Sequence, residues 1–193
     1  MASTFDVSAF RSKLNGGGAR PNQFEVVIRY PTVLGGIAGD VGRFLITTAE
    51  LPGQTQGVTP VYYRGRLIKL AGDKEFAPFS CSIINDNNFT IRNALENWMN
   101  YIENRITKAG EQSPQRYQST IDIYQLDRNG NTLRQYNLRD AFPVEIGPVQ
   151  LDFGSNDQIS TFGATFQYQT FDIITTPASA ALNSVAGRGA VLS

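Results

Sequence analysis

Residues 51–98, LPGQTQGVTPVYYRGRLIKLAGDKEFAPFSCSIINDNNFTIRNALENW, run through a Pro/Gly-rich stretch, a basic aromatic strand, a turn, a second strand and an amphipathic helix. Pro52, Gly53, Gly57 and Pro60 interrupt any ladder, so residues 51–60 read as a long loop. The strand predicted over 61–71 is crowded with Val61, Tyr63, Leu67, Ile68 and Leu70, with Arg64, Arg66 and Lys69 among them. Ala71-Gly72-Asp73-Lys74 then turns the chain into residues 76–85, where Phe79, Cys81 and Ile83 share one face, and the two strands read as a hairpin. Asp86, Asn87 and Asn88 are all competent helix caps. Behind them the apolar spacing lengthens from two to between three and four, placing Ile91, Leu95, Trp98, Ile102 and Ile106 in one stripe. That stripe is expected to pack on the sheet, leaving Arg92, Asn93, Glu96, Asn100 and Glu103 free to meet another protein.

Upstream, residues 1–20 are polar and contain Asn15-Gly16-Gly17-Gly18, the composition of a flexible arm, so the fold is expected to begin near Pro21. Phe24, Val26, Ile28 and Tyr30 alternate with Glu25 and Arg29 as in a half-buried strand. Residues 31–42 are a Gly-rich surface loop, and 43–50 read as the next strand. Downstream, 120–127 and 132–139 flank Arg128-Asn129-Gly130-Asn131, and Asn-Gly is a strong hairpin signal. A further strand is expected over 144–153. Residues 160–175 alternate Phe162, Ala164, Phe166 and Tyr168, but at ~3.3 Å per residue such a strand would span about 50 Å, so it must bend or bulge. Residues 176–193 read as a tail, leaving 21–175 as one domain.

The class is mainly β: a β-sandwich or barrel of about eight strands with one amphipathic helix closing one side. A chain of 193 residues is long enough to bury roughly 70% of its unfolded surface. Val27, Tyr62, Ile84 and Tyr124 fall opposite the main core positions, giving the extra apolar surface that an oligomer would cover.

Charge is balanced, with 17 basic and 17 acidic residues, which argues against affinity built on neutralising nucleic acid or on a polybasic membrane anchor. No apolar run approaches a membrane helix or a signal peptide, so a soluble, unexported chain is expected. With no histidine in the chain, imidazole metal sites and the Ser-His-Asp arrangement are absent. Cys81, the single cysteine, reads as a small buried apolar residue. The closest acidic pairs, Asp73 with Glu75 and Asp152 with Asp157, fall in expected turns and read as solvated. Asp127 to Asn131 begins like a calcium loop, but Thr132 stands where glycine is required. Asp152-Phe153-Gly154 lacks every other part of a kinase. No cofactor is expected and no enzyme. Tyr62, Tyr63, Arg64, Arg66 and Lys69 remain as the one sharp cluster. They suit a stacking platform for single-stranded nucleic acid on a monomeric β-barrel, or an intersubunit surface, and the neutral net charge favours the second.

Ala19-Arg20-Pro21-Asn22, Phe24-x-Val26, Ala49-x-Leu51-Pro52-Gly53, Tyr63-Arg64-Gly65-Arg66, Ala71-Gly72-Asp73 and Asn85-Asp86 precede the helix in this order. Pro143, Gln150-Leu151-Asp152, Ser155-Asn156 and Ile159-x-Thr161-Phe162 continue the set. Over about residues 19–174 it resembles the tail tube proteins of contractile-tailed bacteriophages, although the 31–42 loop and the tail are longer than the pattern requires. The resemblance implies a structural virion protein, assembled in the host cytoplasm, whose hexameric rings stack into the inner tube of a contractile tail and conduct the genome into the host. It implies as partners further copies of the chain, the sheath protein, baseplate or tail-initiator and tail-terminator proteins, and phage DNA passing unbound, with no membrane. Related tubes serve bacteriocins and type VI secretion, which stays an alternative. By the same resemblance Leu51, Pro52, Gly53, Val61, Tyr62, Tyr63, Arg64 and Arg66, with the N-terminal arm, reach the adjacent ring. Arg92, Asn93, Glu96, Asn100 and Glu103 face the sheath, and the sheets of six subunits join into one barrel.

Overall fold

The computed structural model describes residues 18–35, 46–154 and 158–175, together with positions 7, 10, 43, 45 and 156. Most of the expected arm at 1–20, much of the 31–42 loop and the whole tail at 176–193 lie outside the described residues.

Nine strands are present among the described residues: β1 (Phe24–Ile28), β2 (Ile46–Ala49), β3 (Gln54–Tyr63), β4 (Arg66–Phe76), β5 (Phe79–Ile84), β6 (Ser119–Leu126), β7 (Thr132–Ile146), β8 (Thr161–Gln167) and β9 (Thr170–Thr175). Helix α1 (Thr90–Ile102) lies between β5 and β6, and a one-turn helix α2 (Pro114–Tyr117), absent from the sequence reading, precedes β6. Seven strands form one antiparallel sheet in the order β1-β6-β7-β8-β5-β2, with β9 on β7.

β7 turns this sheet into a sandwich. Its first part pairs with β6 and β9, and residues 142–146 pair with β8. At the corner two residues of β7, Arg139 and Asp140, stand against Thr120 alone, and Asp140 takes φ 56°. A bulge of this kind bends a strand and re-aims the residues beyond it. One leaf supplies Val26, Ile28, Ile121, Ile123 and Leu138 to the core, the other Phe79, Cys81, Ile83, Phe162 and Phe166. Helix α1 closes the side with Ile91, Leu95 and Trp98, all buried. Trp98 meets Tyr30 at 5.7 Å and Phe166 at 6.3 Å between ring centroids, and its Nε1 donates to the Tyr117 carbonyl at 2.6 Å. Asp86 begins the helix by accepting from the Thr90 backbone N–H at 2.8 Å and its hydroxyl at 2.6 Å. Burial in β5 pushes the Cys81 thiol up to about 12, the behaviour of an inert core residue.

Several boundaries differ from the sequence reading. The 43–50 strand contracts to the four residues of β2. The 144–153 strand does not form: β7 runs through Pro143 to Ile146, and 147–153 is irregular. Pro143 is tolerated because this part of β7 pairs on one side only, with β8. Residues 160–175 do break, into β8 and β9, around Tyr168 and Gln169. Ile106 lies beyond the helix and is 91% exposed, so the stripe ends at Ile102. The largest difference is in 51–85, where the expected loop and hairpin are replaced by another element.

Candidate assembly ribbon

Among the described residues β3 and β4 pair only with each other, from Gln54↔Phe76 at the base to Tyr63↔Arg66 at the tip. Ten residues at ~3.3 Å each make β3 a ribbon edge about 30 Å long. The strands meet across a two-residue turn, Arg64-Gly65, with φ 48° and 77°. Positive φ at both central residues is the geometry that matches strand twist in a tight hairpin, and glycine adopts it without steric penalty. Thus 51–60 is not a loop, since residues 54–60 are strand. Ala71 to Lys74 is not a turn but part of β4, and β5 pairs with β2 and β8 instead of the strand before it. Between Val58↔Ala71 and Gln56↔Lys74, Gly72 and Asp73 face Gly57 alone, so β4 bulges there. A Cβ on Gly57 would lie 3.0 Å from the Asp73 carbonyl, so only a bare backbone fits without displacement.

The base is tied to the sandwich. The Phe76 ring meets Phe171 at 5.5 Å and Tyr168 at 6.0 Å, and the Ala77 N–H donates to the Gly53 carbonyl at 3.2 Å. Beyond it both faces are open. Pairing alternates Pro60/Lys69 and Tyr62/Leu67 on one face with Thr59/Leu70, Val61/Ile68 and Tyr63/Arg66 on the other. Every residue from Val58 to Leu70 is exposed, including Tyr62 at 77%. A solitary two-stranded ribbon is at best marginally stable in water, and three or more strands or a packed face are needed to hold one. Apolar side chains on both faces make this ribbon an element shaped for a neighbour. Arg64 lies over the Tyr63 ring at 5.5 Å, so the tip presents a cationic aromatic surface.

The predicted contact residues therefore divide. Val61, Tyr62, Tyr63, Arg64 and Arg66 gather at the tip, while Leu51, Pro52 and Gly53 sit at the base, about the length of β3 away. The helix residues divide too. Arg92 pairs with Glu96 at 2.9 Å, lies over the Phe162 ring at 5.3 Å and donates to the Gly147 carbonyl. Glu103 meets Lys108 at 3.1 Å on that flank. Asn93 donates to the Asn88 carbonyl on the opposite flank, which faces Tyr30 and Leu34, and Asn100 lines the grooves on both sides. Asp73 and Glu75 are strand residues of β4, and Asp157 lies outside the described residues.

The sequence reading also missed a polar network on the outer face of the β1-β6-β7-β9 leaf. Asp122, only 1% exposed, accepts from Arg29 Nη2 at 2.9 Å, Arg29 Nε at 3.0 Å and Asn137 Nδ2 at 2.5 Å. Arg43 with Glu25 and Arg139 with Asp172 are further ion pairs on the same leaf. Arg29, the residue after β1, and Asp122 in β6 lie far apart in sequence, so only the register of β1 on β6 brings them together.

Comparison with known proteins agrees with this architecture. The Serratia phage KSP90 tail tube protein is 27% identical over 166 residues, covering 84% of this chain and 93% of the relative. Tail tube protein gp19 of Enterobacteria phage T4 is 27% identical over 152 residues, covering 78% and 89%. Among solved structures, a chain of the PVC sheath-tube complex, an extracellular contractile injection system in its extended state, superposes with a TM-score of 0.60 at 15% identity, covering 90% of this chain and all of that one. A chain of the anti-feeding prophage baseplate gives 0.61 at 14% identity, covering 83% and 97%. The family model described as phage tail tube protein matches residues 19–174, and the chain belongs to that family.

Proposed function

We propose that this protein is the repeating subunit of the inner tube of a contractile phage tail, with a structural role and no catalytic one. Hexameric rings stack into a conduit for the genome, and the domain over 21–175 is the stacking unit. The observation that carries this reading is the β3–β4 ribbon, an apolar, cationic element whose outer part has no partner among the described residues. Burying it in a neighbouring copy supplies the packed face it lacks. The edges of β1, β2 and β9 that no described residue pairs favour lateral closure in the same way, because ring formation pairs strand edges that a monomer leaves open. The β1-β6-β7-β9 leaf carries the carboxylates Asp122, Glu25 and Asp172 paired with Arg29, Arg43 and Arg139. A conduit wall of this composition offers DNA little uncompensated positive charge to bind.

The contractile-system context of the relatives supports a surrounding sheath, an initiating baseplate and a terminating cap as partners, with the polar flanks of α1 turned toward the sheath. Electron microscopy of the purified protein, alone and with a tail initiator, tests the reading. Tubes of stacked rings are expected. A protein that stays monomeric under every nucleating condition, or Tyr63→Ala/Arg64→Ala subunits that build tubes of normal length, would refute it.

A further inference from the structure

The ribbon has a candidate receptor on this chain. β5 begins at Phe79, two residues beyond the ribbon, and ends at Ile84, next to the loop that starts α1. Ile84 pairs with Thr161 at the start of β8, so residues 158–160 lie at the same end as that loop, and Pro148, Val149 and Leu151 line the same groove. A groove of about 890 Å³ opens there, lined by Phe89, Leu151, Ile159 and Asp86 among others. Leu151 is 89% exposed, Ile159 73% and the neighbouring Phe153 fully so. Six residues of β5 at ~3.3 Å each separate the ribbon base from this groove by about 20 Å, placing them at opposite ends of one strand pair.

Their charges are opposite. Residues 58–71 carry Arg64, Arg66 and Lys69 and no acid, whereas the described residues of 147–160 carry Asp152 and no base. Asp86 adds a carboxylate at the groove, held below the usual carboxylate range by the Thr90 hydroxyl and therefore ionised at neutral pH. Arg92, the one cation lining the groove among the described residues, is already engaged by Glu96 and the Gly147 carbonyl. Two different apolar surfaces of opposite charge, one on a ribbon that springs from one end of β5 and one at the other end of that strand, suit a head-to-tail contact that repeats without closing, the geometry of a linear filament.

Resting on the tube reading above, we infer that the ribbon tip of one copy seats in the Phe89/Leu151/Ile159 groove of the copy stacked on it. The tip places Tyr62 and Leu67, which share one face, on the apolar lining, and Arg64 at the turn with Arg66 on the other face beside Asp86 and Asp152. The two surfaces thereby give the tube its polarity.

The test uses the full chain carrying Lys69→Cys and Gln158→Cys, both at exposed positions that leave the apolar tip and the apolar lining intact, with the buried Cys81 retained. Tubes treated with a short bis-maleimide should give a ladder of covalent dimers, trimers and longer chains on a denaturing gel, while either single-cysteine variant gives none. Reversing Arg66→Asp should lower tube yield at least tenfold, and adding Asp152→Arg should restore it. Tubes that assemble normally but give no ladder would overturn this docking while leaving the tube reading intact. Absence of tubes from the unmodified protein under every nucleating condition would remove both.

Discussion

Replacing Tyr62 with alanine separates the stability of the subunit from the stability of the assembly. Tyr62 is 77% exposed, so little of its surface is covered within the subunit. An aromatic side chain buries about 200 Å² when enclosed, and each Å² of apolar burial stabilises by ~25 cal/mol. The covered fraction then contributes about 1 kcal/mol to folding, whereas covering the remainder in a neighbour adds up to ~4 kcal/mol per contact, an upper bound by area. At 1.4 kcal/mol per decade, losing that contact weakens association by almost three decades. Urea denaturation followed by circular dichroism should therefore show Tyr62→Ala within about 1 kcal/mol of the parent. Its critical concentration for tube growth, measured by sedimentation, should rise by two orders of magnitude or more. A variant that polymerises at the parent's critical concentration would refute the claim that the tip is buried on assembly. One that unfolds with a loss above ~3 kcal/mol would place the ribbon in the subunit's own core.

Other expected outcomes concern the sandwich. Trp98→Ala should cost ~3–5 kcal/mol and Trp98→Phe about 1–3 kcal/mol, the smaller value reflecting the stranded Tyr117 carbonyl; circular dichroism is the readout, since this is the chain's only tryptophan. Arg29→Met should destabilise by about 3 kcal/mol in denaturant titrations, because it leaves the buried Asp122 carboxylate with amide donors alone; a loss below 1 kcal/mol would show that the pair is dispensable. The Asp86 carboxyl is held low chiefly by the Thr90 hydroxyl, so its contribution is present above the ordinary carboxylate pKa and is lost as pH falls through the lowered value. The stability gap between the parent and Asp86→Ala, followed by thermal melts, should therefore close on acidification below about pH 4 and stay constant near neutrality.

Much of the sandwich was legible because its signals are local. The stripe of Ile91, Leu95 and Trp98 survives as the buried face of α1. Alternation from Phe24 to Ile28 marks β1, and Asn129-Gly130 turns β6 into β7 with φ 81° at the glycine. The mainly β class with a helix closing one side rests on these elements. The ribbon was misread because its punctuation has a different meaning in a solitary hairpin. Pro60 reads as a strand breaker, yet each strand of a two-stranded ribbon is an edge, where a missing N–H is tolerated. Gly57 and Gly72 read as loop and turn residues, but they form a bulge in which backbones pass too closely for a side chain. The true turn was hidden because arginine carries no signal for the left-handed region that Arg64 occupies. For a similar reason Pro143 does not end β7, so the break expected between the strands at 132–139 and 144–153 does not occur there. The Asp122 network could not be found in sequence, because its partners are gathered by register from β1, β6 and β7.

A reconstruction by cryo-electron microscopy of tubes grown from the purified protein tests the central claim most directly. Stacked rings are expected in which the ribbon from Gln54 to Phe76 crosses the gap between rings and is buried in the next subunit. Tubes whose ribbons contact only their own subunit, or lie exposed to solvent, would contradict it.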